Sequence, residues 1–185
     1  MIRLFIALFL PVIGLAHAAE FNTLQPGKSA ITFTSKQMNV PVDGAFRKFS
    51  AQINIDPAKP ESGRAQIEID LASIDTGSAE ANEEVTGKSW FNVREFPKAS
   101  FILASVKPLG NGRFETSGKM SIKGKTLEVR APFSIKQEKG ALILDGSFPL
   151  KRLDYGIGTG IWSDTSVVAD EVQVKFHFVL NATKK

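Results

Sequence analysis

The chain has 185 residues and carries 23 lysines and arginines against 19 aspartates and glutamates, which gives a formal net charge of +4. Such a small charge, with signs that alternate along the sequence, argues against a nucleic-acid-binding surface. The absence of cysteine excludes disulfides and thiolate metal sites. The length fits a single domain with a hydrophobic core of its own.

Residues 1–18 have the features of a secretory signal peptide. Arg3 precedes an apolar stretch from Leu4 to Ala16, and Ala16-His17-Ala18 forms an A-x-A cleavage site. The stretch is shorter than the ~20 residues of a membrane span, although an uncleaved anchor is the alternative. We therefore expect residues 19–185 to form the mature domain. A cysteine-free exported chain is typical of the bacterial periplasm, so we predict that location.

Most of the mature chain alternates apolar and polar side chains, a period of two that predicts strands with one buried face. Eight such strands are predicted in chain order, near residues 29–35, 51–55, 65–71, 100–107, 114–122, 127–135, 142–150 and 172–180. Asn111-Gly112, Lys123-Gly124 and Lys139-Gly140 separate neighbouring strands and favour tight antiparallel hairpins. Eight tilted antiparallel strands can close into a barrel that holds side chains or one small ligand.

Two segments interrupt the alternation. Residues 78–88 are rich in alanine and glutamate and begin with Ser78, a suitable N-cap, which predicts a short helix. Residues 154–170 interleave glycines with Tyr155, Ile161 and Trp162. This composition predicts a mobile flap at an opening of the barrel.

The sequence offers little catalytic machinery. His177 is the one histidine after the predicted signal peptide, and it falls on the polar face of the last predicted strand. No G-x-S-x-G turn is present, and the glycines at 156–160 lack the Lys-Ser/Thr of a phosphate loop. The acidic residues Asp164, Asp170 and Glu171 do not have the spacing of a calcium loop. We therefore expect no enzyme activity, no metal and no cofactor, and a hydrolase is the least favoured function.

Twelve of the fourteen phenylalanines lie beyond the predicted signal peptide. Two interpretations of this apolar interior stay open: it packs solid, or some side chains line a cavity. A cavity of this composition suits a hydrocarbon chain, because each buried methylene contributes roughly 0.8 kcal/mol before ordering costs.

Six motifs in order along the mature chain resemble the YceI-like family, the lipocalin-like periplasmic polyisoprenoid-binding proteins. The similar segments are 42–49 (VDGAFRKF), 69–77 (IDLASIDTG), 90–93 (WFNV), 96–101 (FPKASF), 118–124 (GKMSIKG) and 152–158 (RLDYGIG). The chain departs from the family pattern at 81–88, at Leu103-Ala104 and in the loop 158–164. The helix and this loop are expected to border the mouth, so the departures bear on which ligand is bound.

The resemblance implies an all-β, eight-stranded antiparallel lipocalin-like barrel with a short helix near residues 78–88 and a lipid tail threaded through it. The ligand-binding residues expected from position are Phe33, Phe46, Phe49, Ile69, Phe91, Phe101, Phe133, Phe148, Arg152, Tyr155, Trp162 and Phe176. For Arg152 and Asp154, which match a family motif, we expect an ion pair that fixes the turn at Tyr155, and contact with a head group is the alternative.

The predicted function is a periplasmic binding or carrier protein for a long isoprenoid-type lipid or an isoprenoid quinone. Tyr155–Trp162 are expected to gate entry, with transient membrane contact during ligand exchange. The alternative is a fully packed barrel that acts as a stress or protein-interaction module. The sequence leaves the oligomeric state open, a homodimer included.

Overall fold

The computed structural model of the chain describes residues 20–183, and the predicted signal peptide lies outside them. Within this range the chain forms one α-helix, α1 (Ala79–Thr86), and eleven strands. The strands are β1 (Phe21–Leu24), β2 (Ala30–Gln37), β3 (Val40–Phe46), β4 (Phe49–Asn54), β5 (Arg64–Asp70), β6 (Ile74–Asp75), β7 (Lys98–Gly110), β8 (Arg113–Ile122), β9 (Lys125–Glu138), β10 (Ala141–Lys151) and β11 (Glu171–Ala182).

Two-residue turns connect the long strands, as the sequence predicts. Asn111-Gly112, Lys123-Gly124 and Lys139-Gly140 join β7 to β8, β8 to β9 and β9 to β10, and all six residues have positive φ. Positive φ at both central residues is the geometry of the turn that matches the twist of antiparallel strands. A fourth turn of this kind, Met38-Asn39 between β2 and β3, was not predicted, because methionine is not a usual residue for it.

The strands form a single antiparallel sheet that is strongly curled. Its order is β4-β5-β7-β8-β9-β10-β11-β2-β3-β6, with β1 added to β11. Along one edge β11 pairs with β10; along the other, residues 173–177 pair with β2 and residues 180–182 with β1. Reciprocal backbone hydrogen bonds of 3.0 and 3.1 Å join Phe21 to Ile55, just beyond β4. The predicted class, an all-β lipocalin-like antiparallel fold with one helix, is confirmed.

The number of strands differs from the predicted eight. The three additional strands among the described residues are β1, β3 and β6. Strands β1 and β6 have four and two residues, too few to show an alternating pattern. Strand β3 contains Pro41, Asp43 and Gly44, residue types that are depleted in strands.

Alternate side chains of the long strands point into the curled sheet. On β10, Leu142, Leu144 and Phe148 have exposed fractions of 0%, 6% and 5%. The helix lies within its predicted range and begins at its predicted cap, since the Ser78 side chain accepts a hydrogen bond of 3.3 Å from the Ala81 amide. In residues 20–183 no helix combines the length and apolar character needed to cross a membrane.

Candidate functional site

Two cavities lie end to end inside the curled sheet. The large chamber has a volume of about 510 Å³ and the small chamber about 110 Å³. Five side chains line both, which places the chambers on either side of a shared ring: Ile31, Ile69, Met120, Phe148 and Val174. The interior is therefore not filled by the protein's own side chains.

The two chambers differ in polarity. The large chamber is bordered by α1, by Trp90-Phe91 and by the loop after β10, and polar groups of Ser35, Thr76 and Glu80 contribute to its lining. The small chamber is lined mainly by inward side chains of β4, β5 and β7–β11, among them Phe133 and Phe178. Almost all of its lining surface is apolar, although Asn54, Arg64 and Thr116 also border it. A polar group therefore has more hydrogen-bonding neighbours in the large chamber than in the small one, where most of its contacts would be apolar.

Ten of the twelve sequence-predicted ligand-binding residues line these chambers. Phe33, Phe46, Phe91, Arg152 and Trp162 line the large chamber, Phe101, Phe133 and Phe176 line the small one, and Ile69 and Phe148 line both. The other two lie outside the chamber linings. Phe49 packs on Phe178 with ring centroids 5.9 Å apart, and Tyr155 is 2% exposed within the core below the large chamber. Contact of these residues with a ligand stays a prediction.

Arg152 is buried and holds the loop that follows it in place through hydrogen bonds. Its side chain is 2% exposed, and its N–H groups donate to five backbone carbonyls at 2.7–3.0 Å: Nε to Ala169, Nη1 to Ile157 and Gly158, and Nη2 to Trp162 and Val168. Burial lowers the pKa of the guanidinium, and the nearby Asp170 carboxylate partly offsets that effect.

The expected ion pair of Arg152 with Asp154 is wrong. Among the described residues no salt bridge joins the two, and Asp154 is exposed. The five carbonyls occupy every N–H direction of the guanidinium, because an arginine side chain has five donors. Arg152 therefore contributes to the large chamber as a fixed part of its lining, and its donors are already engaged.

The loop after β10 is tied to the rest of the mouth. Trp162 Nε1 donates to the Glu84 carboxylate of α1 at 2.7 Å, and the Trp162 and Trp90 rings pack at 5.5 Å. The amides of Gly158 and Thr159 donate to the Ser89 carbonyl, both at 2.9 Å. The segment predicted as a mobile flap is therefore fastened to α1 and to the segment that follows it.

The β8–β9 turn holds the same loop from another side. Lys123 Nζ donates to the carbonyls of Gly156 at 2.7 Å and Lys88 at 3.1 Å. Burial lowers the pKa of this ammonium group, and the neighbouring Lys125 acts in the same direction. Three separate segments therefore meet at this ammonium group: the β8–β9 turn, the segment after α1 and the loop after β10.

Three inward-facing glycines explain how a phenylalanine-rich interior keeps spare volume. The rings of Phe33, Phe101 and Phe176 lie over Gly44, Gly118 and Gly146 of neighbouring strands. A Cβ added at these glycines would meet the ring Cζ atoms at 2.2, 2.4 and 2.2 Å. Each ring thus occupies the space of the missing side chain.

Gly118 and Gly146 lie within the predicted strands 114–122 and 142–150, but the alternation of side chains did not predict this role for them. Glycine at an inward position of a strand is the signal that could have revealed it, since it marks the close approach of another group.

His177 lies away from the chambers. It is exposed on β11, and its Nδ1 is 2.6 Å from the Asp145 carboxylate on β10. Across residues 20–183 no three histidine, aspartate or glutamate side chains come together as a metal-binding group. The hydrogen bonds of the described residues place no hydroxyl on this imidazole, which a Ser-His-Asp triad would require.

Among solved structures, Burkholderia cenocepacia BcnA is similar, with a TM-score of 0.82 and 46% identity over 84% of this chain and 98% of that protein. A polyisoprenoid-binding domain from Saccharophagus degradans has a TM-score of 0.69 at 19% identity, over 90% of this chain and all of that domain. At that identity the likeness shows the fold alone.

Curated relatives include UPF0312 proteins of Azotobacter vinelandii, 30% identical over 118 residues, and Shewanella oneidensis, 29% identical over 121 residues. These alignments span 62% and 63% of the relatives' own length. The model of the YceI-like domain matches residues 23–180, which include all but the first and last few described positions. This chain therefore belongs to the YceI-like domain family.

Proposed function

We propose that this protein binds a long isoprenoid-type lipid inside its curled sheet and carries it without chemical change. The observation that supports this most directly is the pair of adjoining chambers, which share five lining side chains, because their arrangement end to end suits an extended chain. The wall is apolar for most of its length, so a hydrocarbon tail gains free energy along the whole path. A head group has polar neighbours in the large chamber, including Ser35, Gln37 and Thr76.

The comparisons support the ligand class. The Saccharophagus degradans neighbour is described as a polyisoprenoid-binding domain, and it shares this fold. We extend the proposal to two finer points that rest on the sequence: the protein acts in the periplasm after removal of residues 1–18, and an isoprenoid quinone is among its ligands. Transient contact of the mouth with a membrane would let a tail pass between bilayer and chamber without crossing water.

The proposal is tested by expressing the full-length chain, isolating the protein from the exported fraction and measuring its mass under native conditions. We expect a non-covalent adduct that organic extraction releases as an isoprenoid lipid. If the protein is isolated empty, it should take up an isoprenoid quinone added in detergent. A protein that is empty and takes up no isoprenoid would contradict the proposal and favour a protein-interaction module.

A matched pair of variants on β11 checks that uptake occurs inside the sheet. Phe176 lines the small chamber, whereas the adjacent Lys175 is exposed on the outer face. We expect Phe176→Asp to abolish uptake, since an unpaired carboxylate in an apolar chamber is strongly unfavourable. Lys175→Ala should bind like the wild type, and equal uptake by both variants would place the ligand elsewhere.

A further inference from the structure

The most exposed large apolar side chains of the described residues lie close to the mouth of the large chamber. Ile161, Met38 and Val40 have exposed fractions of 85%, 68% and 62%. A single exposed apolar side chain is common on protein surfaces and needs no explanation. A group of three at the opening of an apolar chamber does need one, because grouped exposed apolar surface marks an interaction site.

Met38 and Val40 belong to the tip of the β2–β3 hairpin. Gln37 and Val42 of this hairpin line the large chamber. Val40 pairs with Gln37 and is two residues from Val42, so its side chain points to the same face as theirs. Met38 follows Gln37 in the turn. The hairpin therefore continues the wall of the chamber beyond its lining and ends in two exposed apolar side chains.

Ile161 lies on the loop after β10. It precedes Trp162, which lines the large chamber. The carbonyls of Trp162 and Val168 both accept from Arg152 Nη2 at 2.7 Å, which holds these two parts of the loop together. Val168 in turn pairs with Gln37, the last residue of β2. Ile161 and the hairpin tip therefore lie on segments that are fastened to each other and border the same mouth.

Met38, Val40 and Ile161, which we call the apolar rim, are too few for a stable contact with another protein. Such an interface buries about 800 Å² on each partner, far more than three side chains expose. A lipid bilayer makes no such demand, because separate apolar side chains on a turn and a loop can each enter the boundary between head groups and acyl chains. A bilayer is also where a water-insoluble isoprenoid lipid resides.

We propose, on the basis of the proposed function, that the apolar rim inserts into the surface of a lipid bilayer and holds the mouth of the large chamber against it while the ligand passes. Glu80 and Glu84 of α1 also border this chamber, and their carboxylates oppose attraction to anionic lipid. The contact is therefore apolar. Three side chains without a lipid anchor bind a membrane weakly, so the protein leaves it readily after exchange.

Exposed apolar side chains elsewhere provide matched controls. Leu109 is exposed and lies on β7 beyond Val106, which lines the small chamber, so it marks the other end of the path. Ile102 is exposed on the outer face of β7, between two residues that line the small chamber. The exposed residues Asn54 and Arg64 also border the small chamber, so ligand entry at that end is the alternative that Leu109 tests.

The first experiment measures how fast the protein takes up an isoprenoid quinone from phosphatidylcholine vesicles. Quinone that enters the large chamber quenches the fluorescence of Trp90 and Trp162, which line it. The rim variant replaces all three side chains by polar ones of similar size: Met38→Gln, Val40→Thr and Ile161→Thr. We expect its uptake rate to fall at least ~10-fold, because burial of even one such side chain contributes that much. Its dissociation constant for quinone in detergent should stay that of the wild type.

Leu109→Gln and Ile102→Thr should each leave the uptake rate within ~2-fold of the wild type. Phosphatidylglycerol added to the vesicles should not raise the wild-type rate. A rise would mean that charge, and not the apolar rim, drives the contact.

The second experiment locates the contact directly. The chain has no cysteine, so a single introduced cysteine can be labelled with a polarity-sensitive fluorophore. When phosphatidylcholine vesicles are added, the label on Ile161→Cys should shift to shorter emission wavelengths because it leaves water. The label on Leu109→Cys should not shift.

The possible results separate the proposal from its alternatives. Unchanged uptake by the rim variant, with no shift of the label at position 161, would overturn it, although the proposed function stands. A shift at position 109 in place of 161 would put ligand entry at the small chamber. A shift at position 161 without vesicles, together with a dimer in native mass spectrometry, would make the rim a contact between copies of this chain. If the wild type binds no quinone in detergent, the proposed function itself fails, and the labels still test docking.

Discussion

Replacement of Arg152 by methionine should destabilise the protein more than almost any other single substitution outside the strands. Methionine retains much of the packing volume but has no donor, so five buried or half-buried carbonyls lose their partner. A buried acceptor left unpaired costs about 1–3 kcal/mol. At the lower value, five unpaired carbonyls would together cost about 5 kcal/mol. This is as large as the free energy of unfolding of a domain of low stability, about 5 kcal/mol.

The loop can reduce this loss by opening, because its carbonyls then bind water. We therefore expect Arg152→Met to lower the free energy of unfolding by at least ~3 kcal/mol, with the loop 156–169 becoming sensitive to protease. Arg152→Lys should lie between methionine and the wild type, since lysine keeps the charge but has three donors. Exposed Arg130, which pairs with Glu128 at 3.5 Å, is the control, and Arg130→Met should change stability by less than about 0.5 kcal/mol.

Urea unfolding followed by circular dichroism and tryptophan fluorescence gives these free energies, and limited proteolysis gives the state of the loop. A free energy of unfolding for Arg152→Met within about 1 kcal/mol of the wild type would refute the reasoning. It would mean that the five carbonyls find other partners without the guanidinium.

The remaining predictions concern the mouth and the core beneath it. Among the described residues the buried Tyr155 hydroxyl has no hydrogen-bond partner, so Tyr155→Phe should leave the free energy of unfolding unchanged or raise it by about 1 kcal/mol, and a clear loss would contradict this. Burial, with a smaller contribution from Asp154, raises the pKa of Tyr155 from 10.0 to about 12, so the wild type should lose stability as the pH rises through this interval, whereas Tyr155→Phe should lose less. Trp162→Phe removes the hydrogen bond to Glu84 and should increase the rate at which a bound quinone is released, as measured by stopped-flow exchange. Glu84→Gln keeps a carbonyl acceptor and should change this rate little. Equal release rates in the wild type and both variants would show that this hydrogen bond does not hold the mouth closed.

The strand pattern was predictable because burial on one face imposes a strict alternation. On β11, Val174, Phe176 and Phe178 face inward while Lys175 and His177 are exposed, as the sequence predicts. The turns at Asn111-Gly112 and Lys139-Gly140 were predictable because positive φ selects these residue types. The short strand β6 was not, since its pairing with β3 comes from the curl of the whole sheet and not from its own two residues.

The site was predictable in its lining but not in its details. Inward parity was sufficient to place Phe33, Phe133 and Phe148 on the chambers. Phe49 also has inward parity, but its ring packs on Phe178 and does not line a chamber. Parity gives the direction of a side chain, and it does not show whether a neighbouring side chain fills the space in front of it. The hydrogen bonds of Arg152 could not be predicted either. Their acceptors are backbone carbonyls, which every residue type has, so the sequence gives no sign of them.

The neighbouring positions of β1 and β11 have a consequence for folding. Leu24 pairs with Leu180, and the Thr183 amide donates to the Glu20 carbonyl at 3.0 Å, so the earliest and latest described parts of the chain complete the structure together. Strand β11 lies between β10 and β2 and lines both chambers, so neither chamber has a complete wall until this last described strand has paired. Pairing of β11 with β1 and β2 joins residues that are far apart in the sequence, and such pairing is slow to form.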